Sequence, residues 1–415
     1  MAFRAIYILS MLVLVVNTGA LMKLSDGNAV EKAFFLLSAF AIFFTRRPDK
    51  IVIALMISEL ALVFVLAVAT PYPDFSWAIF INSLNQIVVL FALLAADTNY
   101  RDQQTILKAT AFMPVLCALL GLIYHAAGIN PMFAVEYATG VPRYAGSLPS
   151  AAFTSALAML GVFAAVRIML STRMSYMILA AINFMILLAA GGRATLAITL
   201  AVCGISILTY RGIRATTKLA IVAVGFIVGV AIVGLFWDNL ATRFLESGDS
   251  GRSIMWDYLR TVIDQYPNTG IGFGHQFFAT PHAIVVVFAS ASAHNDFLRL
   301  SVELGTVGMV VFYAILSLAV LRAALGKKRK NFLAIFAYAG FLLLSNSDNA
   351  LASPLEFPLM FLALIAGHRK PIMSEAVKMR LKAQIRTREA MRFTSQQIRS
   401  YQLHLKKIRD DQTYV

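Results

Sequence analysis

The run Ser292-Ala293-His294-Asn295-Asp296 opens a stretch, SAHNDFLRLSVELGTVG, that continues straight into an apolar segment of membrane-spanning length. Polar groups are costly at the entrance to lipid, so these side chains are expected to face protein or water and to have work to do. Histidine ordinarily titrates at about 6.5, which suits a general base taking a proton from a hydroxyl. Ser292, Asn295 and Asp296 are also good helix caps; that reading explains all three and leaves His294 unexplained. Asn295 or Asp296 is placed to orient the ring or a sugar hydroxyl. Arg299 and Glu303 stand four residues apart and are expected to neutralise each other inside a bundle. Gly305 and Gly308 allow close helix approach.

A second set of groups suits anionic oxygens. Arg252, Trp256 and Arg260 recur at i, i+4 and i+8 within GRSIMWDYLRTVIDQY, close to one face of a helix. Arg143 lies in another polar segment, and Arg193 follows the pair Gly191-Gly192. A guanidinium is permanently charged and forks onto phosphate, so this set reads as a phosphate or pyrophosphate grip. The alternative for each is a local carboxylate partner or a lipid headgroup.

Other chemistries find less support. His125, His275 and His282 have no tight His or acidic companions, so no metal site is expected. GIGFG at 270–274 follows no strand and reads as a hinge rather than a nucleotide loop. Cys117 and Cys203 lie in apolar runs and read as packing residues. Glu59, and Asn82, Asn85 and Gln86 at i, i+3 and i+4, interrupt apolar runs; they are expected to line a cavity or to bond between helices.

The elements that position these residues follow from composition. The chain has 415 residues, 59% hydrophobic and 14% charged, with a formal net charge of +15. Repeated apolar runs, each able to cross a hydrocarbon core of about 30 Å, predict an all-α polytopic membrane protein. Twelve spans are expected, near 5–22, 30–45, 51–70, 76–96, 106–127, 150–170, 174–190, 194–210, 218–237, 296–321, 331–345 and 355–367. The first is read as an uncleaved helix rather than a signal peptide.

Orientation follows from basic residues. With the N-terminus inside, 28 of 36 Lys and Arg fall on the inner side, and without the twelve in the tail the balance is still 16 to 8. Lys23, Lys32, Arg143, Arg193, Arg243, Arg252, Arg260 and Arg299 are left outside. The chain then divides into spans one to nine (1–237), a large outer loop (238–295), spans ten to twelve (296–367) and a basic inner tail (368–415). The tail carries Val377, Leu381 and Ile385 at helical spacing and reads as an amphipathic helix on anionic lipid. Since topology accounts for most of the positive charge, no nucleic-acid partner is expected. No internal repeat is visible.

Taken together, Arg252-x3-Trp256, Pro267, GIGFG, and His294-Asn295 followed after nine residues by Gly305-Thr306, with Glu303 and Gly308, resemble the O-antigen ligase superfamily. GGRAT at 191–195 looks like the family's outer-mouth arginine motif. The twelve-span pattern with one large outer loop extends the likeness over nearly the whole chain. Family members that glycosylate proteins carry an additional outer C-terminal region, where this chain has its basic inner tail.

The resemblance implies a metal-independent, cofactor-free glycosyltransferase of GT-C architecture in the bacterial inner membrane, with its active site facing the periplasm. It would transfer O-antigen from an undecaprenyl-pyrophosphate-linked donor to a sugar hydroxyl of a lipid A-core acceptor, with inversion. His294 would be the base, and Arg143, Arg193, Arg252 and Arg260 would hold the pyrophosphate. Asn295, Trp256 and Glu303 would support them. An O-antigen polymerase of the same superfamily and, from another class, a lipid-linked oligosaccharide transporter are the alternatives.

Overall fold

Short polar stops divide the apolar sequence into helices. A computed structural model describes residues 2–22, 27–45, 47–135, 140–171, 174–210, 214–235, 252–288, 291–325, 332–351, 387 and 394–405. The helices in chain order are α1 (Ala2–Val16), α2 (Thr18–Met22), α3 (Gly27–Thr45), α4 (Lys50–Ala69), α5 (Trp77–Ala95) and α6 (Tyr100–Ala126). A hairpin, β1 (Phe133–Val135) and β2 (Pro142–Tyr144), precedes α7 (Ala151–Ser171), α8 (Tyr176–Ala190), α9 (Arg193–Thr209) and α10 (Ala215–Leu235). Then come α11 (Arg252–Gln265), α12 (Gln276–Ala279), α13 (His282–Phe288), α14 (Asp296–Leu325) and α15 (Phe332–Ser345).

Mostly helical, with α4, α5, α6, α7 and α14 each long and apolar enough to cross a bilayer, the chain is an all-α membrane protein. The expected spans from 5–22 to 331–345 fall on helices, while 355–367 lies outside the described residues. Caps set several boundaries. Asp49 accepts the Ile51 and Val52 N–H groups at the start of α4, and Asn99 and Asp102 form a reciprocal capping box on α6.

Three local features differ from an uninterrupted helical reading. The first apolar run breaks at Asn17, whose φ of 50° ends α1 and whose side chain donates to the Ser147 carbonyl. The segment between α6 and α7 contains the antiparallel hairpin, with Ala134 opposite Arg143. The third is the break in α14, at Gly305 (φ 72°, ψ 164°), which separates 296–304 from an arm over 306–325.

Within residues 1–368, α7 is the most buried of the five long spans and packs against α6, α8 and α9. A second group joins α4 to α5 and α14, and α11 packs on α14. Helices α4 and α14 run antiparallel: Asp49 pairs with Arg322 at one end (3.0 Å), and Gly308 packs on Leu66 towards the other. The second unit, 369–415, contains a described helix over 394–405; the expected apolar positions Val377, Leu381 and Ile385 lie outside the described residues.

Candidate active site at the start of the broken helix

The break explains how a polar sequence can precede a membrane span. The arm over 306–325 rises about 30 Å at 1.5 Å per residue, enough to cross the hydrocarbon core without the polar arm before it. Breaking a helix frees backbone groups, and here the segment 267–272 takes them up. Ile271 N–H donates to the Val302 carbonyl and Gly272 N–H to that of Glu303, both at 2.9 Å, while Thr306 N–H donates to the Pro267 carbonyl.

GIGFG is therefore a fixed clamp and not the hinge expected from sequence. Residues 270–273 are buried, and Thr70 at the end of α4 donates its hydroxyl to the Gly270 carbonyl at 2.6 Å. Gly270 has φ 64°, and a Cβ there would land on the Glu303 carbonyl carbon, so the backbones meet at a distance only glycine permits. His275 completes the clamp: Nε2 accepts from Ser76 N–H at 2.9 Å while Nδ1 faces the Phe273 carbonyl at 3.2 Å. Both ring nitrogens are thus engaged, which is a structural role.

His294 stands just before α14 with φ 49°. A left-handed backbone is uncommon outside glycine, and it is tolerated where the surroundings fix it, often at functional sites. Those surroundings are a second polar strand of chain, 346–351, that follows α15. Ser292 Oγ bonds with the Asn349 amide, His294 Nδ1 lies 3.3 Å from Asp348 Oδ1, and Asp296 Oδ2 accepts Leu351 N–H at 2.6 Å. With its proton on Nδ1 and donated to Asp348, the ring carries its lone pair on Nε2. The His294 side chain keeps 34% of its exposure, so the ring is open to solvent.

Asp348 is held as an anion. Burial pushes its carboxyl up, but the His294 hydrogen bond and charge, the Asn349 N–H and the Arg252 guanidinium outweigh burial and hold it below its ordinary value. It therefore remains an anion facing the imidazole at neutral pH.

The expected supporting residues divide by role. Asn295 Oδ1 accepts Leu298 N–H at 3.0 Å, so Asn295 caps α14. Asp296 neither caps nor touches the ring; it is buried against Arg299, whose Nε lies 3.0 Å away. Glu303 is the more distant partner of Arg299, at 3.7 Å, and accepts Gln276 N–H, tying α12 to the break. Trp256 donates Nε1–H to the Ala293 carbonyl at 2.8 Å, next to His294.

Of the four arginines, Arg252 is brought closest to this geometry, donating to the Ser347 carbonyl at 2.9 Å beside Asp348. Arg260, two turns on, is 62% exposed and pairs with Asp257 at 2.6 Å on the surface of α11. Arg143 and Arg193 lie at another turn: Arg143 Nε donates to the Ala190 carbonyl at 2.9 Å, and Arg193 starts α9 just beyond the left-handed Gly191. Both flank the α8–α9 turn. Among the described residues, no three His, Cys, Asp or Glu side chains form a metal-ligand group.

Residues 175–313 match the family model described as O-antigen ligase. Over this segment, about a third of its length, the chain is similar to the O-antigen ligase superfamily. The ligase-family segment contains Arg193, Arg252, Trp256, His294 and the Gly305 break; Arg143 and Asp348 lie beyond its ends. No curated protein matches the chain.

Asp348 is the site residue that sequence reasoning missed. Its signal was available: SNSDNA at 345–350 is a polar run closing an apolar helix on the side predicted to carry His294. Nothing in the spacing pairs it with a histidine 54 residues earlier. Within α5, Asn85 and Gln86 are half-buried while Asn82 is exposed, so these three do not share one environment.

Proposed function

We propose that the protein is an O-antigen ligase of the bacterial inner membrane, working at its periplasmic face with both termini inside. It has twelve spans and GT-C architecture. The donor is O-antigen on undecaprenyl pyrophosphate, and the acceptor is a sugar hydroxyl of the lipid A-core. The observation that carries this reading is the His294–Asp348 contact with Arg252 anchored on the adjacent Ser347 carbonyl. It sets a base and a permanent cation, His294 and Arg252, both from the segment that matches the ligase family, around one short loop beyond that segment's end.

Each group then has a task. The acceptor oxygen attacks the anomeric carbon from the face opposite the phosphate, and the bond from that carbon to the phosphate oxygen breaks. The configuration inverts, and undecaprenyl pyrophosphate leaves with the electron pair. His294 Nε2 takes the hydroxyl proton, and Asp348 orients the ring and stabilises the imidazolium. Arg252, Arg193 and Arg143 hold the diphosphate and offset charge growing on it, with Arg260 at the rim. In this topology α9 leaves the outer face and α15 approaches it. The helices touch where Gly340 packs on Ile198, and Arg193 and Ser345 each lie five residues, about 7.5 Å, beyond that contact. Arg193 thus stands level with the loop that holds Asp348. Cleavage of the sugar–pyrophosphate bond drives the reaction, so no ATP is required, and the arginines take the charge-neutralising part that a metal would otherwise play.

The decisive experiment is transfer in a purified system with lipid-linked O-antigen and lipid A-core, comparing wild type with His294→Ala. Core-linked product from wild type alone is expected, with donor binding retained in the variant. Longer lipid-linked chains and an unmodified core would identify a polymerase instead. Movement of the donor without any covalent product would identify a transporter.

A further inference from the structure

Glu59 sits in the middle of α4, in a run whose other polar side chain is Ser58, bonded to the Ala54 carbonyl, and is fully buried. Ten residues separate it from Asp49 at the helix start, about 15 Å of rise, which is half the thickness of a hydrocarbon core. Among the described residues, neither carboxyl oxygen has a hydrogen-bond partner. Buried polar groups are almost always paired, so two bare oxygens on one side chain are exceptional.

Among the described residues, the elements packed against α4 hold no countercharge at that depth. On α4 itself the other ionisable residue is Lys50, at the end of the helix. Helix α5 contributes no acidic, basic or histidine side chain. The arm of α14 over 306–325 offers Tyr313 and, at its far end, Arg322, which is committed to Asp49. Helix α15 offers Tyr338, within electrostatic reach of Glu59, whose hydroxyl is 2.9 Å from that of Ser317 on α14.

We propose that Glu59 is a proton-binding site in the membrane interior, a carboxylic acid carried in its neutral form where α4 packs against α14. An ionised, unpaired carboxylate at this depth bears a large desolvation cost, whereas the neutral acid does not. The ligand is therefore a proton, and the site is independent of the histidine base and of the transfer reaction. It makes the packing of α4 against α14 conditional on that proton. Helix α4 also carries Thr70, which holds the Gly270 carbonyl beneath the α14 break.

The test uses purified full-length protein in liposomes. The infrared difference between wild type and Glu59→Gln should contain the carbonyl band of a protonated carboxylic acid, unchanged from mildly acid to mildly alkaline pH. An apolar carbodiimide should label Glu59, read by mass spectrometry. The acid proton passes to a carbodiimide nitrogen and the carboxyl oxygen bonds to the central carbon. Acyl migration then leaves an N-acylurea that retains every atom of both reactants. Because the amide mimics the neutral acid, Glu59→Gln should keep its Tm to within about 2 °C. A carboxylate band in place of the acid band would overturn the proposal. So would protection from labelling by sodium ions, which would mark an alkali-cation site. A fall in Tm of more than about 10 °C in Glu59→Gln would show that the bundle needs the charged form.

Discussion

His294 Nδ1 and Asp348 Oδ1 lie 3.3 Å apart although 54 positions separate them in the chain. Two further contacts, Ser292 with Asn349 and Asp296 with Leu351, hold the same two segments together on either side. The dyad is thus built by a ladder of polar contacts and not by one pair alone.

Replacing Asp348 by Asn keeps the shape and removes the charge that stabilises an imidazolium. The transfer rate should fall by about 10²–10⁴-fold, the range of a general base, with donor affinity little changed. A variant with wild-type turnover would remove Asp348 from the mechanism.

The same carboxyl makes stability depend on acid. Its folded pKa is below the unfolded value of about 3.9, so its contribution is fully present above that value and is lost as pH falls through the folded one. The gap in Tm between wild type and Asp348→Asn should therefore be constant at neutral pH and narrow in strong acid. A gap that widens on acidification would contradict this sign.

Gly305 should accept no side chain. Its φ is 72°, and a Cβ would lie 2.6 Å from the Pro267 carbonyl oxygen and 2.8 Å from that of Asn268. Gly305→Ala should cost about 1–3 kcal/mol from backbone strain alone, with the clash added. A melting curve in detergent decides it, since an unchanged Tm would mean that the break does not require glycine.

Arg299 lies between two buried carboxylates, and its loss leaves both uncompensated. Arg299→Met should destabilise by about 3–5 kcal/mol, and adding Asp296→Asn with Glu303→Gln should recover part of that. No recovery in the triple variant would mean that packing, not charge, accounts for the loss.

Arg252 and Arg260 provide an internal contrast. Arg260→Ala breaks an exposed surface pair and should change stability by under about 0.5 kcal/mol, with transfer nearly intact. Arg252→Lys keeps the charge but loses the fork that reaches the Ser347 carbonyl and, in the proposed function, the diphosphate, so transfer should stay well below wild type. Equal activity of Lys and Arg at 252 would refute the forked grip.

Hydrophobic runs and their polar stops were enough to mark α4, α5, α6, α7 and α14, because a span must satisfy its backbone internally and its length follows from bilayer thickness. The sequence also exposed His294, Arg252 and Arg193 as polar groups out of place, since burying charge near lipid needs a reason. It could not show Asp348 as the partner of His294, nor Asp296 as the nearer partner of Arg299, because such contacts depend on how helices distant in sequence pack. GIGFG looked like a hinge for the same reason. Glycine marks a permissive backbone, and only the surrounding atoms decide whether that freedom is used for motion or, as at Gly270 and Gly305, for close contact.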